Sequence, residues 1–130
     1  MRNFIIVVIF LLGLLALASP SSANGIYYCA AQEAAGFEPK KNYEFSKYQP
    51  RRFNVQIDFE KQTMVSEKIY LKGNVKCITD VYGKSLYCLS EYGRTLAVNK
   101  VTLSFHTSTM FLNDGDMDDI TISYGSCEKF

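Results

Sequence analysis

Between Lys76 and Cys88 the chain reads KCITDVYGKSLYC, two short β-prone runs about Tyr82-Gly83 with a cysteine on each arm. No other stretch constrains the fold as much. Antiparallel partners in a hairpin have position numbers of constant sum, so a turn centred on Tyr82-Gly83 pairs Val81 with Lys84, Thr79 with Leu86 and Cys77 with Cys88. Directly opposed residues have Cα atoms roughly 4.5–5.5 Å apart, within reach of a disulfide. Tyrosine disfavours the positive φ that a two-residue type I′ loop demands. A four-residue loop, Val81 to Lys84 with Gly83 left-handed, keeps the same register. A Cys77–Cys88 bridge is expected from either turn.

The chain holds 4 cysteines, which allow three connectivities. Pairing Cys77 with Cys88 leaves Cys29–Cys127, a bridge between the two ends of the domain, which often lie close in a compact fold. CxxC spacing is absent, which disfavours redox-motif and zinc-knuckle readings. Paired cysteines belong to an oxidising compartment, and the N-terminus agrees. Arg2 is followed by an apolar run from Phe4 to Leu17 broken only by Gly13, then by Ser21-Ser22-Ala23. That is the layout of a secretory signal peptide, residues 1–23, with cleavage expected after Ala23. The run is too short for a membrane span of roughly 20 apolar residues. Nothing later is apolar enough to span a bilayer. Residues 24–130 are then a single domain, secreted or periplasmic.

Lys and Arg number 14 against 13 Asp and Glu. Loss of Arg2 with the signal makes the mature domain neutral. A dedicated nucleic-acid binder would show a strong basic excess, so no nucleic-acid partner is expected. The charges are uneven: residues 24–76 carry nine basic and six acidic side chains, residues 77–130 four and seven. This split reads as two solvated faces.

Phe53, Val55, Ile57 and Phe59 alternate with polar residues, the period-two signature of a strand with one buried face. Val101, Leu103 and Phe105 alternate with Thr102, Ser104 and His106 in the same way. Further β-prone runs at Met64–Leu71, Val75–Asp80, Leu96–Val98 and Ile120–Tyr124 are separated by turn signals. Ile26–Gln32 reads as a strand delivering Cys29 to the core, although AAQEAA would accept a turn of helix; Gly36 is expected to end it. Glu38–Arg51, polar and carrying Pro39 and Pro50, reads as a long loop. About eight short strands with tight turns predict an all-β fold, a small antiparallel meander β-barrel stapled by two disulfides. A two-sheet β-sandwich is the alternative. Eight strands is the smallest closed size whose interior holds side chains or one small ligand.

Two segments stand out as candidate sites. KKNYEFSKYQPRR interleaves Lys40, Lys41, Arg51 and Arg52 with Tyr43, Phe45 and Tyr48. Such a mixture stacks on rings and meets anionic groups. The turn NDGDMDD sets Asp114, Asp116 and Asp118 at alternating positions, a weak calcium candidate. An EF-hand loop beginning at Asp114 requires Gly at its sixth position and Glu at its twelfth, where the chain has Asp119 and Gly125. His106, the sole histidine, alternates away from Phe105 and reads as a surface strand residue. No nucleophile-elbow sequence surrounds any serine, so binding is expected rather than catalysis. A small hydrolase would need His106 beside a carboxylate and a hydroxyl in a cleft. No cofactor motif is present.

In architecture alone, such a barrel is similar to the lipocalins and avidins. Both families lean on tryptophan and this chain has none, so no residue role carries over from them. The function expected is that of a small secreted or periplasmic binding protein. It would take a small apolar ligand in the barrel or an extracytoplasmic macromolecule at the 40–52 rim. The alternative is an inhibitor or adhesion module acting through its surface.

Overall fold

A computed structural model describes residues 24–38, 41–69, 71–110 and 120–130. The expected signal, residues 1–23, Lys40 and the calcium candidate at Asp114, Asp116 and Asp118 lie outside them. Among the described residues nine strands follow one another: β1 (Gly25–Glu38), β2 (Glu44–Tyr48), β3 (Arg52–Asp58), β4 (Thr63–Val65), β5 (Lys76–Thr79), β6 (Ser85–Leu89), β7 (Arg94–Asn99), β8 (Ser104–Thr109) and β9 (Ile120–Lys129). Every pairing is antiparallel, and the order is β4-β3-β1-β9-β8-β7-β6-β5 with β2 added to β1. This is the expected meander, an eight-strand barrel that is nearly closed, with its seam between β4 and β5.

The cystine hairpin has the register set by constant sum: Cys77 opposes Cys88 and Thr79 opposes Leu86. Its turn is the longer one, with Gly83 at φ 64°. The Asp80 carboxylate holds that turn by accepting from the Lys84 amide at 2.6 Å and the Ser85 amide at 2.9 Å. Cys29 opposes Cys127 in the same fashion. Both disulfides are formed, across Cα separations of 4.0 and 4.1 Å.

β1 is the spine of the barrel. It pairs with β9 from Tyr27↔Lys129 to Phe37↔Ile120, with a register shift between Ala31 and Glu33. A bulge of this kind bends a strand and increases its twist, which lets β1 curve through 14 residues. Its other edge is shared by β3 along the first half and β2 along the second. Between them the Ala31 amide donates to the Arg51 carbonyl at 2.9 Å. Gly36 does not end this strand, as its residue type suggested. It lies inside β1, where a Cβ would fall 2.0 Å from the Ile120 carbonyl oxygen. Only glycine lets β9 approach so closely.

Three other expectations change. Glu38–Arg51 is not a loop: β2 pairs with β1 from Ala34↔Tyr48 to Glu38↔Glu44. The segment shows no period because most of its residues are exposed on both faces, so burial imposed no alternation on it. Met64–Leu71 is not one strand; β4 stops at Val65 and an isolated bridge joins Ser66 to Leu71. Val101 and Leu103 belong to a turn, Val101 being 70% exposed and Leu103 having φ 56°. Asn99 organises that turn, its side-chain carbonyl accepting from the Val101 and Thr102 amides at 2.9 and 3.0 Å, an alternative that asparagine offers to a continuing ladder.

The core sits toward the end of the barrel that carries the 80–84 and 99–103 turns. Phe53, Val55, Ile57, Met64, Leu86, Leu96, Val98 and Phe105 are all buried there with Tyr27 and Leu71. Phe53 and Phe105 meet edge to face with centroids 5.2 Å apart, and Tyr27 meets Phe59 likewise at 6.3 Å. Each such side chain contributes about 1.5–3 kcal/mol through burial.

Candidate functional site

Following the inward positions along the strands shows a change of chemistry from one end to the other. On β8 the buried Phe105 is succeeded by Thr107 and Thr109. On β9 the inward positions before Cys127 and Gly125 are Ser123 and Thr121. On β7 Val98 and Leu96 are preceded by Arg94, and on the β3–β2 arm Phe53 is preceded, beyond Pro50, by Tyr48. Register brings these groups together: Thr107 lies opposite Ser123, Thr109 opposite Thr121 and Arg94 opposite Thr109. The two facing hydroxyls of Thr107 and Ser123 are hydrogen bonded at 2.6 Å. The Arg94 guanidinium donates through Nη1 to Thr109 Oγ1.

Around this wall a cavity of about 510 Å³ opens at the end of the barrel opposite the core. Its floor is Phe53 and Ala31, its hydroxyl wall is β8 and β9, and Gln49-Pro50-Arg51 forms its rim. Ala34 is the small residue that keeps the space open beside Tyr48 and Ser123, which are its ladder partners on either edge of β1. The Tyr48 hydroxyl is buried. The turn Ser90–Gly93 fixes Arg94, whose amide donates to Ser90 Oγ at 3.2 Å and whose carbonyl accepts from the Ser90 amide at 2.9 Å. Arginine is the one cationic side chain that packs its stem on apolar surface and still presents a planar fork of donors.

The residues singled out in sequence divide here. Tyr48 and Arg51 reach the cavity. Arg52 points away on the exposed face opposite Ala30. Lys41, Tyr43 and Phe45 lie further out on the β1–β2 hairpin: Lys41 Nζ pairs with Glu38 Oε2 at 3.0 Å, and Phe45 stacks edge to face on Phe37 at 6.0 Å. The hydrogen bond from Lys41 is the main reason the Glu38 carboxyl is held below the usual carboxylate range. Arg94, Thr107, Thr109, Thr121 and Ser123 were missed. Continuing the alternation from Phe105 and back from Cys127 marks all four hydroxyls as inward, and stepping back from Val98 and Leu96 marks Arg94 in the same way.

A second concavity lies outside the barrel. Ile78, Tyr87, Ala97, His106 and Tyr124 form one row across five strands, with Leu89, Thr95, Ser108 and Ile122 in the row beside it. Small Ala97, Thr95 and Ser108 lie between the larger side chains, giving a trough of about 690 Å³. The Thr95 and Ser108 hydroxyls satisfy each other at 2.6 Å, which leaves the trough mainly apolar. His106 is exposed in it, with its ring centroid 6.5 Å from that of Tyr124.

Among the described residues no group of three or more His, Cys, Asp or Glu side chains is gathered to hold a metal ion, and no helix is long and apolar enough to cross a membrane. The fold and its two bridges define a class: a small, disulfide-stapled antiparallel β-barrel of an oxidising, extracytoplasmic environment. No family model, no curated protein and no solved structure matches the chain.

Proposed function

We propose that this is a secreted or periplasmic binding protein, released by cleavage near Ala23, that takes a small ligand into the open end of its barrel. The observation that carries this reading is the cavity of about 510 Å³ beside Arg94 and the β8–β9 hydroxyls. Its volume is within the roughly 300–1,000 Å³ of sites for small molecules. Its mixture of an apolar floor with a few converging polar groups is the composition such sites have. The rest of the interior is occupied by Phe53, Val55, Ile57, Phe105 and their neighbours. A ligand therefore belongs at the hydroxyl-lined end, and a wholly apolar ligand in the middle of the barrel is disfavoured.

The test is native mass spectrometry of the protein exported by its own signal and purified without reductant. The expected result is a chain beginning at Asn24, four hydrogens lighter than its reduced form, with a small-molecule mass that is absent from an Ala34→Leu variant. A bare chain, or a retained mass that survives Ala34→Leu, overturns the reading. A second reading, a module that acts through its surface, is favoured by the outer trough, where Ile78, Tyr87, Leu89, Ile122 and Tyr124 are all exposed.

A further inference from the structure

The outer trough carries an inference of its own, independent of whether the open end is a site. Its two rows cross six strands: Glu33 on β1 continues the row of Tyr124, while Ala35 on β1 and Lys76 on β5 end the row of Ile122 and Leu89. With neighbouring strands about 4.8 Å apart the rows are about 24 Å long, and two residues of strand set them about 7 Å apart. Tyr87 and Leu89 stand on one side of the small Ala97, Thr95 and Ser108, Ile122 and Tyr124 on the other. Among the described lining residues Glu33 and Lys76 are the only acid and the only lysine or arginine, one at each end. The site is long, narrow, concave and mainly apolar between two opposite charges.

These properties decide between occupants. The strands β6 to β9 are paired on both edges, and the Thr95 and Ser108 hydroxyls are hydrogen bonded to each other at 2.6 Å. A peptide or a sugar lying on that floor would lose water from its own donors and acceptors and find few partners. An aliphatic chain has no such groups to satisfy. A second copy offering the same face would be concave opposite a concavity, and the two would enclose a void where interfaces are close-packed. Of the two ends, Lys76 is exposed and has the longer reach; a lysine stem lies along apolar surface while its ammonium follows a head group. Glu33 at the far end repels an anion and so fixes the direction of the chain.

We infer that the trough binds a single long aliphatic chain with a carboxylate head, a fatty acid, its tail lying across β9, β8, β7 and β6 over Ala97 and its head at Lys76.

The test uses the full mature chain with both disulfides formed. Decanoate, dodecanoate, tetradecanoate and, as a control of opposite charge, dodecylamine are titrated below their micelle-forming concentrations, with amide resonances followed by NMR and affinities taken from calorimetry. The expected result is saturable movement of the Thr95, Ala97, His106 and Ser108 amides, with affinity rising about tenfold for each two methylenes added. Dodecanoate is expected to bind about threefold tighter than dodecylamine, the modest share of an exposed charge pair. Lys76→Gln, an exposed substitution, removes that preference and keeps the dependence on chain length. Ala97→Phe fills the floor and abolishes binding; Tyr87→Ser combined with Ile122→Ser, which alters only exposed side chains, weakens every chain and serves if Ala97→Phe fails to fold. An amine bound as tightly as the acid, an affinity indifferent to chain length, movement confined to other faces, or no saturable movement overturns the inference. Movement of the trough amides on dilution without any probe would give the face to a second copy and overturn it as well.

Discussion

Tyr27 shows how a single side chain reports on the core around it. It is 1% exposed, against Phe59, and burial pushes its phenol above the ordinary value. Because the folded state holds this proton more tightly than the unfolded chain, the stability linked to it is fully present below about pH 10, the ordinary tyrosine value. It is lost as pH rises through the folded value. Urea denaturation of the native protein and of Tyr27→Phe, compared from pH 8 to pH 12, is expected to give parallel stability curves up to about pH 10 and a steeper fall for the native protein above it. Equal slopes throughout would mean that the phenol is not shielded. The same logic separates Tyr48 from the other tyrosines of its segment: its buried hydroxyl is at the cavity, whereas Tyr43 is exposed at the hairpin tip with φ 60°.

Two cystine pairs reinforce the register that the ladders set. The β5–β6 hairpin is short, and its bridge closes a separation of 11 residues; the bridge between β1 and β9 closes 98. In the chain-entropy account the first contributes about 3 kcal/mol and the second nearer 5. Replacing each pair by alanines and measuring urea midpoints is expected to show the larger loss for Cys29→Ala with Cys127→Ala. The reverse order would assign the stabilisation to local packing instead of loop closure. β1 also illustrates why an element's ends are hard to place from residue types. Gly36, which in a free strand marks a stop, is here required by the approach of β9, and no neighbour in sequence announces that approach.

At the scale of the whole molecule the barrel separates two kinds of surface. The interior is apolar at one end and hydroxyl-lined with a guanidinium at the other, while the outside of β5–β9 presents exposed Tyr87, Ile122 and Tyr124. If the trough is the apolar surface a partner would meet, Tyr87→Ser combined with Ile122→Ser is expected to remove most binding of a fluorescent apolar dye. The melting temperature should move by only a few degrees, since exposed substitutions cost about 0.5 kcal/mol or less each. Unchanged dye binding would discard the trough as an apolar docking surface.

The pairing of Cys29 with Cys127 followed by elimination once Cys77–Cys88 was set; the all-β class, the barrel and the Cys77–Cys88 register were legible in residue order, because each depends on period-two alternation or on arithmetic within a hairpin. Those signals are local, and burial on one face of a strand writes them directly into the chain. The β2 arm, the interior position of Gly36 and the turn at Val101–Leu103 were not legible, because exposed strands carry no alternation and close approaches are made by partners distant in sequence. The same division holds for the site. Tyr48 and Arg51 drew notice as part of a basic, aromatic run, whereas Arg94, Thr107, Thr109, Thr121 and Ser123 come from three separate strands. Only the long-range pairing of β9 with β1, beside its pairing with β8, set those residues around one cavity.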